Sequence, residues 1–120
     1  MVKNRVFVRH RDLTQFIVAA FRAKGMEAED GKAVADALVW ANLRGHDSHG
    51  VVRLPRYIDL IASGEMDTTA RPVFALDTPT RFVLDGKRCA GPVAMKRASA
   101  EASERARVDS ISTRSPSRPR

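Results

Sequence analysis

Histidine, serine and arginine crowd one short stretch of the chain, RGHDSHGVVRLPRY, from Arg44 to Tyr57. Imidazole changes charge near neutral pH, so His46 or His49 can give or take a proton under physiological conditions. Ser48 offers a hydroxyl that can orient a ring or a bound carbonyl. Arg53 carries a planar fork of donors that matches a carboxylate in bidentate geometry. If the chain is already helical from about Gly50, Arg53 and Tyr57 at spacing four project on one face. Together these parts suit an acid whose neighbouring carbonyl or hydroxyl exchanges a proton. The competing reading is a helix–turn–helix corner with a polar link, in which Ser48 caps the next helix and His49 hydrogen-bonds locally. The chemistry alone leaves both open. His46, Asp47 and His49 make a poor metal signal, because stable sites need three or four ligands and a supporting shell.

Helices must position this stretch. DLTQFIVAAFRAKG places Leu13, Phe16, Ile17, Ala20 and Phe21 on one stripe, predicting a helix over 11–24 with Asp12 as N-cap and Gly25 just past its end. Glu27, Glu29 and Asp30 suit the start of a second helix over 27–44, whose buried face is expected to be Ala33, Val34, Ala37, Leu38 and Ala41, with Gly45 ending it. Pro55 fits the first turn of a third helix over 54–63, with Leu54, Ile58 and Ile61 on one face and Gly64 as its stop. RVFVR near the start, PVFAL and RFVLDG read as short strands, and Asp85-Gly86 as a turn. A last helix from Pro92 to about Arg107 stacks Ala94, Ala98, Ala102 and Ala106 in a narrow ridge. By residue type, Trp40 reads as core, Tyr57 as half-buried packing, Cys89 as a small apolar filler and His10 as surface.

The length of 120 residues suits one compact domain. Aromatics are only 6% and alanine is abundant, which favours helices with small contact faces over a β-rich core. No apolar run approaches the roughly 18 residues of a membrane span, and the first residues lack the pattern of a secretory signal. A single cysteine, Cys89, permits no intrachain disulfide and fits the cytoplasm. The net charge of +7 raises nucleic acid as a partner, but much of the excess sits in Arg105, Arg107, Arg114, Arg118 and Arg120. Few aromatics and no glycine-rich RNA signature accompany it, so a nucleic-acid-binding role is not favoured. VDSISTRSPSRPR has almost no apolar content, so residues 108–120 read as a disordered tail beyond a domain over 1–107.

ALVWANLRGHDSHGVVRLPRYIDLIASGEMDTTARP, followed by LDGKRCAGPVAMKRA, resembles the N-terminal part of the malate/L-lactate dehydrogenase family, the type unrelated to Rossmann-fold lactate dehydrogenases. That family includes ureidoglycolate and sulfolactate dehydrogenases, diketogulonate reductase and cyclic imino-acid reductases. The likeness covers about Arg9 to Ala106 and centres on the ordered run LRGHDSHGVVR with the tyrosine and glycine that follow. It implies a mainly α chain with a short β element, the N-terminal helical portion of an α/β fold. It also implies an NAD- or NADP-dependent oxidoreductase interconverting 2-hydroxy and 2-keto acids, working as a homodimer with sites between subunits. His49 matches the proton donor of several family reductases and Ser48 its supporting hydroxyl. Arg53 matches the carboxylate clamp, and Tyr57 a substrate-facing position. Some members use a later histidine as catalytic base, and this chain has none there. Family members continue into a region that supplies most dinucleotide contacts, whereas nothing after Arg107 resembles it. The abrupt Ser/Arg/Pro composition is what an out-of-frame reading of GC-rich coding sequence gives. The expectation is therefore a truncated or frameshifted product, inactive alone. The alternatives are a small basic nucleic-acid-binding protein and a non-catalytic partner that pairs through its alanine ridge.

Overall fold

The computed structural model of the chain describes residues 4–112. Helix α1, His10–Ala23, packs along α2, Ala28–Leu43. Ile17 and Phe21 of α1 are fully buried against Val34, Ala35 and Leu38 of α2, the centre of the apolar core. The rest of the α1 stripe is graded. Leu13 and Ala20 pack at the edge of the core, while Phe16 is 61% exposed, because α2 covers only one side of the helix. Helix α1 also begins earlier than expected. Arg9 stands at its N-cap, and Asp12 lies in the first turn, where a carboxylate complements the helix dipole. Gly25 closes α1 at φ +89°, with the N–H of Met26 bonded to the carbonyl of Phe21 at 3.1 Å.

Helix α2 is apolar around much of its circumference, so its sequence does not fix which side turns inward. The buried residues are Gly31, Val34, Ala35, Leu38, Val39 and Ala41; of the expected face, Ala33 is half-buried and Ala37 exposed. Packing against both α1 and the last helix rotates the buried sector. Trp40 corrects the core reading. It is 58% exposed, with the Arg44 guanidinium 5.2 Å above its ring.

Helix α3, Leu54–Ala62, starts with Pro55 in its first turn and seats Leu54, Ile58 and Ile61 on the core. Strands β1, Val73–Asp77, and β2, Phe82–Asp85, pair antiparallel with an irregularity between Phe74 and Leu76. At the Asp85-Gly86 turn the Lys87 N–H donates to Asp85 Oδ1 at 2.9 Å, and this bond and the Lys87 side chain hold the Asp85 carboxyl below the usual range. RVFVR is not a strand. This hairpin is the sheet of the described residues, so the segment has no ladder to join; Val6 and Phe7 lie exposed.

Helix α4, Gly91–Ser112, crosses α2 and the hairpin. Arg105 pins it there: it pairs with Asp77 at 2.6 Å and Glu101 at 2.8 Å, and sits 4.8 Å from the Phe82 ring centroid. The helix continues five residues past the expected end at Arg107, so residues 108–112 are helical where composition suggested a disordered tail. No Gly or Pro interrupts the chain between Pro92 and Pro116. The remainder of that tail lies outside the described residues. Among the described residues no helix is long and apolar enough to cross a membrane.

Phe21 and Phe16 separate burial from residue type. Phe21→Ala is expected to cost roughly 3–5 kcal/mol, and Phe16→Ala no more than about 0.5 kcal/mol. Thermal melts of the two variants beside the parent chain check this, and equal losses would contradict the core described.

Candidate functional site

Helix α2 ends where the candidate residues begin. Gly45 takes φ +78°, a conformation that other residues adopt at a cost, and the His46 N–H turns back to the Ala41 carbonyl at 2.9 Å. The chain then forms two consecutive 3₁₀ turns, Asp47–His49 and Val51–Arg53, which feed directly into α3. Helix α3 starts at Leu54 as expected, and the stretch from Gly50 to Arg53 is a tighter turn and not part of a continuous helix. Spacing four still relates Arg53, just before α3, to Tyr57 within it.

Three of the candidate residues meet. Ser48 Oγ lies 2.9 Å from His49 Nδ1. Arg53 Nε donates to the Ser48 carbonyl at 3.0 Å. His49 and Arg53 are thus tied to the same serine, one through its side chain and one through its backbone. No carboxylate pairs with Arg53 among the described residues, so its terminal nitrogens remain available to an acid. All three residues are exposed. Tyr57 is half-buried, its ring 5.8 Å from Phe21 in an edge-to-face contact, which is the packing role its type suggested. His46 is exposed, and its backbone, not its ring, enters the local hydrogen bonds.

One participant is missing from the sequence reading. Asn42, in the last turn of α2, donates from Nδ2 to Asp47 Oδ1 at 2.9 Å, and its Oδ1 accepts the Val51 N–H at 2.8 Å. Gly50 lies flush against that amide, and a β-carbon on Gly50 would overlap it. The only signal in the sequence is an amide side chain in the last turn of an alanine-rich helix, and it carries no chemistry of its own.

Other residues take no part. Burial pushes the Cys89 thiol up, which keeps it protonated at neutral pH and unsuited to nucleophilic attack. Arg105 and Arg107 are engaged within α4 and the hairpin, with Arg107 2.6 Å from Glu104, which weakens the case for a free basic stripe. Ala94 and Ala98 of the alanine ridge are half-buried, and Ala102 and Ala106 are exposed. Among the described residues no group of three or more His, Cys, Asp and Glu side chains converges as metal donors. The start of α4 offers no row of free backbone N–H groups for a phosphate. Helix α4 starts at a glycine, but Pro92 lacks an N–H and the Val93 N–H is bonded to the Ala90 carbonyl at 3.0 Å.

The chain is similar to known proteins. The family model for malate/L-lactate dehydrogenase matches residues 8–115. Malate dehydrogenase of Pyrococcus abyssi is 38% identical over 109 residues, 91% of this chain and 30% of the relative. Hydroxycarboxylate dehydrogenase B of Escherichia coli K12 is 37% identical over 99 residues, 82% of this chain and 27% of the relative. The solved malate dehydrogenase of Pyrococcus horikoshii superposes with a TM-score of 0.84 at 37% identity, covering 88% of this chain and 30% of that one. The chain thus spans about 30% of the length of relatives it matches.

Gly50→Ala should force the Asn42 amide aside, at a cost of roughly 1–3 kcal/mol in thermal stability. Gly91→Ala, with nothing within 4 Å of the added carbon, should change stability by less than about 0.5 kcal/mol. Differential scanning calorimetry of both variants compares the two; indifference at Gly50 would refute the close approach.

Proposed function

The chain belongs to the malate/L-lactate dehydrogenase family, and on that premise we propose that it is the substrate-side portion of an NAD(P)-dependent oxidoreductase that interconverts 2-hydroxy and 2-keto acids. In this reading the nicotinamide carries the hydride, and the residues of this chain bind the acid and handle the proton. Arg53 grips the substrate carboxylate through its terminal nitrogens. His49 gives a proton to the carbonyl oxygen as it becomes an alkoxide, and takes it back in the reverse direction.

The observation that carries this reading is the Ser48 Oγ contact to His49 Nδ1 at 2.9 Å. A hydroxyl both donates and accepts, so Ser48 can hold the ring whether Nδ1 is protonated or bare. The ring keeps its orientation through the cycle, and Nε2 is left to face the substrate. A local cap, the competing reading, would direct the Ser48 hydroxyl to a backbone N–H instead. Tyr57, anchored on Phe21 and four residues after Arg53, is the substrate-facing side chain in this reading. A homodimer, with the partner completing the site, and the cytoplasm as compartment accord with this assignment.

Two outcomes are expected. A polypeptide of these 120 residues should show no NAD(P)H-dependent turnover of malate or lactate, since Ser48, His49 and Arg53 stand exposed to water and the chain spans about 30% of the length of relatives it matches. A steady oxidation rate from purified chain, followed at the nicotinamide absorbance, would overturn that. In a full-length relative carrying residues 40–60 of this chain, His49→Ala should lower kcat by roughly 10²–10⁴-fold, and Arg53→Ala should mainly raise KM, by roughly 30-fold or more. His46→Ala should do far less. If His46→Ala is the more damaging histidine change, the assignment of the proton donor is wrong.

A further inference from the structure

We infer that Asn42 is a positioning residue for His49 and Arg53, acting as a two-point splint between the end of α2 and the paired 3₁₀ turns. The inference rests on the roles proposed above for those two residues. The side-chain amide has one donor end and one acceptor end, and both are used. Nδ2 holds the Asp47 carboxylate at 2.9 Å, and Oδ1 holds the Val51 N–H at 2.8 Å. Asp47 opens the first 3₁₀ turn and Val51 opens the second. Ser48, His49 and Gly50 are therefore bracketed between two points fixed to one side chain of a packed helix. Gly50 rests on the same amide with no space for a β-carbon, so the middle of the bracket is held as well as its ends.

The consequence reaches both reacting groups. His49 is joined to Ser48 through its ring, and Arg53 to the Ser48 carbonyl through Nε. Displacing Ser48 moves proton donor and carboxylate clamp together. Few apolar contacts could substitute, because residues 46–49 are all exposed. Asn42 is bonded within the loop but is not oriented by it. Its backbone belongs to α2, whose neighbouring Ala41 is buried and whose carbonyls receive the His46 and Gly45 N–H groups. The splint thus transmits the position of the α1–α2 core to a stretch that has no core of its own.

The polarity of the amide supplies a test on the 120-residue chain that needs no turnover. Asn42→Leu removes both bonds at similar volume. Asn42→Asp retains an acceptor for Val51 but sets a carboxylate against Asp47. Combining Asn42→Asp with Asp47→Asn reverses the donor–acceptor pair and restores the parent net charge. Amide hydrogen exchange at Val51 and the ring ¹⁵N signals of His49 are the readouts, with the amides of Phe21 and Leu38 as controls for the core. Asn42→Leu should lower Val51 protection roughly tenfold or more and shift the His49 signals while the core amides stay protected. The Asn42→Asp/Asp47→Asn pair should return both readouts to near their parent values. Parent-like Val51 exchange and His49 signals in Asn42→Leu would overturn the inference. So would a double variant that keeps its core protection but fails to recover. If Asn42→Leu unfolds the chain, the double variant decides alone. Because these readouts are blind to catalysis, a failed splint and a failed proton-donor assignment are separate results.

Discussion

Phe21 is the contact on which the rest of the described structure depends. Fully buried at the end of α1, it belongs to one core cluster with Val34 and Leu38 of α2 and meets the Tyr57 ring of α3 edge-to-face. Three helices are referred to one aromatic ring. Removing apolar area from water supplies the driving force, about 25 cal/mol per Å², and the edge-to-face pair adds on the order of 1 kcal/mol. The connection between α2 and α3 has no comparable apolar anchor. Its ends are fixed by the helices that Phe21 joins and Val51 packs against the core, but residues 46–49 are exposed and are held by polar bonds. That division of labour explains why a surface loop can present His49 and Arg53 in a defined arrangement.

Polar bonds hold such a loop only when they are few, short and mutually dependent. The left-handed turn at Gly45 delivers the His46 N–H to Ala41, which sets the direction in which the chain leaves α2. Asn42 then takes Asp47 and Val51, and Ser48 takes His49 and Arg53. Each of these side-chain bonds is exposed or partly so, and singly worth about 1 kcal/mol against water. Their joint effect is to remove alternatives. A loop pinned at both ends and in the middle has few other conformations to visit, so less ordering entropy remains to oppose ligand binding.

How much of this the sequence reveals depends on the kind of information each feature needs. The hairpin and the three N-terminal helices follow from periodicity and from Gly and Pro placement, because those signals are local. Phe16 misleads because periodicity gives the direction of a buried face but not its width, and α2 shields only part of the stripe. Helix α2 misleads for a related reason. A helix with Ala, Val or Leu at most positions has no polar side to orient it, so Ala35 and Val39 go inside where Ala37 was expected. RVFVR has strand-forming residues and no partner edge, and strand propensity is realised only in a ladder. Residues 108–112 are helical against their composition, since one regular helix extends until something stops it. At the site, His49, Ser48 and Arg53 are legible as residue types with known chemistry. Asn42 is not, because its role is a pairing across nine residues with a backbone N–H that no spacing rule announces.

Exposure is the property of the site that its residue types conceal. A guanidinium–carboxylate pair in open water gains little, because high dielectric and competing hydration offset the attraction. The same pair becomes a strong clamp when water is excluded, and a developing alkoxide is stabilised far more in a dry site than in a wet one. Within the described residues nothing roofs Ser48, His49 and Arg53. The side that is built is the rear one: the core, the Asn42 bonds to Asp47 and Val51, and the Ser48 contact to His49. Orientation is thus supplied from below by α2 and α3, whereas the low dielectric that the proposed roles of Arg53 and His49 require must be imposed from above. The two requirements are separable in principle, since a well-ordered but wet arrangement can recognise the shape of a small acid without binding it tightly. In the roles proposed for them, Ser48, His49 and Arg53 are thus positioned but not desolvated by the described residues.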